Sequence, residues 1–215
     1  MSLFDDQIAC NDRRQHMTTQ VPKILFNATD FEARKLTEDD LPALQDFFIA
    51  NPEYFLAVNG MLPRPDEARQ EFEDRPPADM PFDEVYMIGF VDRADHFVGM
   101  ATVLSNLFAP HVWHIGTFIV ATSLHGTGTA GFLYQRLEDW AKEEGAYWLR
   151  LGVVAGNLKA ERFWEKVGYQ ETRRRTGAQL GNMTHTIRVF VKPLRMSGLE
   201  EYLSLVARDQ PEPES

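Results

Sequence analysis

The stretch from Trp113 to Gly145 constrains the fold more than any other part of the chain. WHIGTFIV (113–120) is a nearly continuous apolar run, the pattern of a central strand covered on both faces. A glycine-rich turn follows, His125-Gly126-Thr127-Gly128-Thr129-Ala130-Gly131. Then a helical stripe of Ala130, Leu133, Leu137, Trp140 and Ala141 runs to a stop at Gly145. Glycines remove the Cβ atoms that would hold a ligand off the backbone. The first turn of a helix adds unpaired N–H groups and the positive end of the helix dipole. Together they suit a phosphate or pyrophosphate. Charge-assisted hydrogen bonds are worth about 1.5–3 kcal/mol each, so three or four amides suffice without a lysine. A glycine-rich turn that binds nothing is the plainer alternative.

Two familiar phosphate loops compete for this segment. A P-loop needs a lysine after its glycines, and none follows here. Gly126, Gly128 and Gly131 satisfy G-x-G-x-x-G, which keeps an NAD(P)-binding oxidoreductase in view. Its context is wrong: Ala121 to His125 separate strand from glycine, and the next strand ends Val153-Val154-Ala155-Gly156-Asn157 without a carboxylate for the ribose.

Around this centre the chain alternates between strand and helix periods. Residues 30–36 read as a strand. Thr37 and Glu38-Asp39-Asp40 open a helix that stops before Asn51-Pro52. A second helix is expected over 65–74, and a Pro-rich loop over 76–81. Strands follow at 83–92, 96–104 and 113–120, the first two joined by a tight turn at 92–95. After the 129–144 helix come a strand at 147–154, a helix at 158–167 and a hairpin of 169–176 with 183–192. The expected fold is therefore α/β (α+β), one domain over residues 27–195 with a mixed, mostly antiparallel twisted sheet, in the order β-α-α-β-β-β-α-β-α-β-β. Residues 1–26 read as a flexible tail, 196–208 as an amphipathic helix packed on the body or on a second subunit, and 209–215 (DQPEPES) as disordered.

Composition narrows the function classes. Twenty-two Lys and Arg against 32 Asp and Glu give a net charge of −10, a poor match to nucleic acid. A negative field mildly favours a cationic partner. One cysteine excludes an internal disulfide, and the first residues lack the basic start and apolar run of a signal peptide. No apolar stretch is long enough to span a bilayer. A soluble, cytoplasmic protein without membrane contact is expected.

At the glycine turn the sequence resembles the GNAT superfamily of acetyl-CoA-dependent N-acetyltransferases. Its loop [Q/R]-x-x-G-x-[G/A] is matched by His125 to Ala130, with Gly128 and Ala130 in register and His125 replacing Gln or Arg. A second element, Asn followed by A-x-x-F-[Y/W]-x-x-x-G-[F/Y], appears as Asn157, Ala160, Phe163, Trp164, Gly168 and Tyr169. Arg34-Lys35-Leu36-Thr37 with Asp40-Leu41 is similar to the family's opening, so the likeness spans about residues 30–192.

The resemblance implies acetyl transfer from acetyl-CoA, a co-substrate, to a primary amine by direct attack, with no metal. It implies that the main chain of Phe118, Ile119 and Val120 meets the pantetheine arm in a gap where two strands splay. The amides of His125, Gly126, Thr127, Gly128, Thr129 and Ala130 would hold the pyrophosphate, and Asn157, Ala160, Phe163 and Trp164 would flank the thioester end. Family members often place an acid tyrosine where this chain has Trp164; Tyr134 and Tyr169 are the nearest substitutes. His114 is the expected base, since an imidazole near pKa 6.5 is poised at neutral pH and a regular strand sets it on the face of Gly116, Phe118 and Val120. His111 and His114, i and i+3 on a strand, face opposite ways and make no metal site. Tyr54, Phe55, Asn59 and Met61 are expected walls of an acceptor pocket for a small-molecule or peptide amine. A non-catalytic CoA-binding module is the rival from another class, and a homodimer is one use of the C-terminal helix.

Overall fold

The computed structural model describes residues 23–196 and 198–211 of the chain. Its centre is one eight-stranded sheet. In chain order the elements are β1 (Lys23–Ala28), β2 (Phe31–Lys35), α1 (Leu41–Ala50), α2 (Glu53–Asn59), α3 (Glu67–Glu73), β3 (Val85–Asp92), β4 (Phe97–Leu104) and β5 (Val112–Val120). After these come α4 (Thr129–Glu143), β6 (Trp148–Val154), α5 (Leu158–Lys166), β7 (Gln170–Leu180), β8 (Met183–Pro193) and α6 (Leu199–Leu205). The strands lie in the order β1-β2-β3-β4-β5-β6-β8-β7, and only the β5–β6 pair is parallel.

The expected class holds, with two elements added. A strand at 23–28 lies inside what reads as tail; it pairs with β2, and Phe26 packs near Phe90 and Trp140. A helix at 53–59 occupies what reads as loop. It begins at Pro52 and ends at Gly60, whose φ of 68° is the left-handed cap that glycine adopts freely. The tail expectations otherwise fall on residues 1–22 and 212–215, outside the described residues.

Helices cover both faces of the sheet. On one, α4 and α5 bury Leu133, Leu137, Trp140 and Trp164 against Ile88, Ala101, Trp113, Leu149, Leu151 and Phe190. On the other, α1 to α3 set Leu41, Leu44, Phe47, Phe48, Phe55 and Ala68 against Met87, Met100 and Ile119. Farther along that second face, α6 packs on the body: Tyr202 and Val206 are buried with Val112, Trp148 and Val191.

The C-terminal segment is pinned by a charge. Asp209, expected in the disordered tail, is fully buried in a short 3-10 turn. Its carboxylate accepts from Arg150 Nε at 2.6 Å and Nη2 at 3.1 Å, and from the Tyr202 hydroxyl. Burial pushes its pKa up, but the Arg150 hydrogen bonds and charge, with Tyr202, hold it below the usual carboxylate value. Proline and glutamate around it suggest disorder; one buried partner overrides them. Asp209→Ala leaves Arg150 charged and unpaired in the interior, and a loss of about 3–5 kcal/mol in urea unfolding is expected. Because the folded pKa is depressed, the Asp209 contribution is full above the unfolded value and disappears as pH falls through the folded one. The variant's deficit should therefore shrink in acid.

Candidate active site

The site begins with a fault in the sheet. Thr102 of β4 pairs with Thr117 and Val103 with Ile115, which leaves Gly116 as the extra residue of a bulge. Just there β5 and β6 part. Their pairing runs from Val112↔Trp148 to Ile115↔Leu151 and stops, after which β6 continues only with β8. From Gly116 to Val120 the side of β5 toward β6 thus has no strand neighbour.

The bulge also inverts the alternation of side chains. Trp113 and Ile115 share the α4 face, yet so do Phe118 and Val120. His114, by contrast, is on the α1–α3 face, and the expectation that it accompanies Phe118 and Val120 is corrected.

A cleft of about 850 Å³ opens along the parting. It is lined on one side by α2 and α3, across its floor by β4 to β6, and on the far side by β7 and the turn into β8. The β7–β8 hairpin reaches over it to α2. Asn182 N donates to Asn59 O at 3.0 Å, and the His185 ring contacts Val58 O at 2.8 Å. Gly181 makes this approach possible: a Cβ there would lie 2.6 Å from Asn59 O. Of the expected acceptor residues, Tyr54, Phe55, Asn59 and Met61 all line the cleft.

Beyond the end of β5, past the residues that line the cleft, lies the glycine turn. Gly126 and Gly128 have φ of 80° and 90°, and space is open where a Cβ of either would point. Gly128 offers no side chain to cap α4, and the Thr127 hydroxyl accepts from Thr129 N only at 3.4 Å. Its first bond runs from Phe132 N to Gly128 O, so the amides of Thr129, Ala130 and Gly131 precede the helical ladder. His125 is fixed by two contacts: its Nε2 lies 3.0 Å from Val120 O, and its Nδ1 lies 2.6 Å from Lys159 Nζ. An ammonium only donates, so Nδ1 accepts and Nε2 carries the proton. Lys159, at the start of α5, thereby brings a cation beside the turn that the sequence pattern did not reveal. The carbonyl of Val120 is occupied by this ring, which leaves less of its main chain for a ligand than expected.

The second motif sits beside the gap. Asn157 caps α5, its Oδ1 accepting from Ala160 N at 3.2 Å, and both residues line the cleft with Trp164. Trp164 is buried against Phe118, Tyr134, Phe163 and Tyr169, as a packed aromatic. Phe163 stacks on Phe118 at 6.2 Å. Tyr134 and Tyr169 are buried behind it, and burial drives both phenols well above their ordinary pKa.

Charges in the cleft differ from expectation. His114 lines it, with Nδ1 3.1 Å from Arg150 O and 3.3 Å from Arg150 Nη1. Burial and then the Arg150 charge depress its pKa to about 3, so an imidazole poised near neutrality is not what the fold provides. The carboxylate of Glu71, on α3, is what the sequence reading missed. Thr102 Oγ1 donates to it at 2.7 Å, and the Thr117 side chain lies beside both Glu71 and Tyr54. Burial raises the Glu71 pKa against the opposing effect of these hydroxyls. Burial and Glu71 likewise push Tyr54 up to about 12. The available signal was spacing: Glu67 and Glu71 are one helical turn apart beside the apolar Ala68. Glu67 is neutralised, since Arg64 N and Nε both donate to it at 2.9 Å.

Comparison with known proteins decides the family. The model of the acetyltransferase (GNAT) family matches residues 36–169, well over half of the chain. This chain is a GNAT acetyltransferase. No curated protein matches in sequence. Solved structures with the same fold include an acetyltransferase from Salmonella typhimurium that modifies the N-terminal serine of a 50S ribosomal subunit protein. It is 14% identical with a TM-score of 0.62, over 80% of this chain and 99% of that one. Spermidine N-acetyltransferase from Vibrio cholerae, in complex with CoA and spermine, is 17% identical with a TM-score of 0.60, over 81% and 99%. An acetyltransferase from Thermus thermophilus is 19% identical with a TM-score of 0.60, over 78% and 99%. As a GNAT enzyme the protein is an acyltransferase, which sets aside the non-catalytic module and the dinucleotide oxidoreductase. No helix among the described residues is long and apolar enough to cross a membrane.

The residues fit the family's acetyl-CoA: an uncapped helix start faces open space, and a parted strand pair leads from it into the cleft. Gly128→Asp adds a carboxylate where N–H groups converge and forces a non-glycine residue to φ near 90°, costing about 1–2 kcal/mol. The expected outcome is a slightly less stable protein whose melting temperature no longer rises with CoA.

Proposed function

We propose that this GNAT enzyme transfers acetyl from acetyl-CoA to a primary amine by direct attack in a ternary complex in the cytosol, with Glu71 as the general base. The observation that carries this reading is the parting of β5 and β6 past Ile115, between the glycine turn at the start of α4 and the half-buried Glu71 carboxylate. Bound acetyl-CoA supplies the activated thioester. The amides of Thr129, Ala130 and Gly131, with Lys159 beside them, hold its pyrophosphate, and the main chain of Gly116 to Val120 takes the pantetheine arm as a missing strand would. Asn157, Ala160 and Trp164 wall the thioester end.

Glu71 takes the proton from the acceptor ammonium, directly or through one water, and leaves a neutral amine. Nitrogen then bonds to the acetyl carbon as carbon–sulfur breaks, and an N–H of the bulged β5 segment stabilises the passing oxyanion. The second amine proton goes to the departing sulfur. A thiol with pKa about 8.5 leaves without a dedicated acid, which accounts for the packed Trp164. Tyr54, its pKa raised to about 12 by burial and by Glu71, stays protonated beside the carboxylate.

A raised carboxyl must lose its proton before it can act, so kcat/KM should fall on the acid side with a limb above the usual carboxylate range. Glu71→Gln removes that limb and lowers kcat by about 10²–10⁴. His114→Ala leaves the limb in place. Thiol release from acetyl-CoA with an amine panel measures all three; a wild-type limb in Glu71→Gln removes Glu71 from the role.

A further inference from the structure

The cleft is electrically polar along its length. On the α3 wall, Glu71 and Asp74 are carboxylates, whereas Glu67 is spent on Arg64. Arg75, also on that wall, donates back to the carbonyls of Phe72 and Asp74. On the floor stands Arg150, and on the far wall beside it Arg175. Behind them Arg208 lies with its guanidinium 4.2 Å from the Phe108 ring, whose other neighbour is Arg150 at 5.2 Å.

Asp209 faces this cluster, and its hydrogen-bonding capacity goes to Arg150 and Tyr202. Arg175 gets only a loose contact, Nη2 to Oδ1 at 3.8 Å, and its side chain keeps 31% exposure. Desolvation, then Arg208 and Arg150, then Arg173 all press against its charge, with Asp209 the single opposing group. A half-buried guanidinium crowded by others, with one distant and already engaged counter-ion, is an anion site facing the cleft. The Arg173-Arg174-Arg175 run, too short to suggest nucleic acid, divides accordingly. Arg174 pairs outward with Glu171, while Arg175 lines the cavity.

The surrounding walls limit size and character. The hairpin-to-α2 bridge of Asn182 with Asn59 and His185 with Val58 closes over the cleft. Phe55, Leu104, Phe108 and Leu180 give it an apolar lining.

We infer that the acceptor is a small zwitterion, a free α-amino acid with an apolar side chain. Its ammonium is turned to Glu71 and its carboxylate is held by Arg175. The inference rests on the amine-acetylation reading above. It also explains how a chain of net charge −10 accepts an anionic group: the positive charge is gathered on one wall. Arg175 acts through binding and selectivity, and takes no part in the proton transfer.

The test uses the purified full chain and acetyl-CoA, with thiol release as readout. Acceptors are the proteinogenic α-amino acids, their carboxamides, spermidine and a short peptide with a free N-terminus. At least one apolar amino acid should exceed its own carboxamide in kcat/KM by tenfold or more. Arg175→Gln should bring that ratio close to one through KM rather than kcat, and Arg175→Lys should restore part of it. A CoA-dependent rise in melting temperature checks that each variant is folded. Turnover of carboxamides, spermidine or the peptide as good as any amino acid, or a preference that survives Arg175→Gln, overturns the inference while leaving amine acetylation standing. Absence of turnover with every acceptor, despite stabilisation by CoA, defeats both.

Discussion

A single extra residue in β5 organises the functional half of the molecule. The bulge at Gly116 bends the strand where the parallel pairing with β6 ends, and backbone groups normally hidden in a ladder are left facing a gap. Unpaired peptide groups inside a protein are costly unless something satisfies them. The cost is tolerable because the gap opens into a cleft, and because the strands on either side keep their other partners, β4 and β8. The same bulge swaps the faces of the side chains beyond it. Phe118 and Val120 go to the α4 core while Thr117 reaches Glu71 and Tyr54.

Two electrostatic devices flank that gap. At one end an uncapped helix, two left-handed glycines and Lys159 gather positive potential. At the other, Glu71 is held in a partly desolvated wall by the Thr102 hydroxyl, with Thr117 beside it. Burial works in opposite directions on two titratable groups of the cleft. It raises a carboxyl toward usefulness as a base and lowers His114 until it stays neutral throughout the physiological range. The Arg150–Asp209 pair then locks the last described residues against β6 on the floor of the cleft, which couples them to its shape.

Most of the sheet and the two helices after it were legible in the sequence, because buried strands and amphipathic helices print their periods directly. The 129–144 stripe became α4 within a residue at its end, and the continuous run at 113–120 became β5. What failed to show has specific causes. A bulge changes no residue type that periodicity reads, so the face of His114 came out inverted. Glu71 is one acid among several in EARQEFE, and only the fold shows that Arg64 engages Glu67 while Thr102 meets Glu71. Asp209 lies in a Pro- and Glu-rich stretch whose composition argues for disorder, and its partner is 59 residues away. Lys159 and His125 meet only because α5 begins beside the glycine turn. The motifs marked the glycine turn and the start of α5; the α2–α3 and β7 walls of the cleft are joined by long-range contacts and left little local trace.

The parted strands and the start of α4 are together the proposed seat of the coenzyme. Amide hydrogen exchange of the protein with and without CoA measures this directly, residue by residue. Protection gained on adding CoA should concentrate in 116–120 and 129–131, with little change in β1 to β3. Protection that is absent from both segments, or that appears only elsewhere, would contradict it.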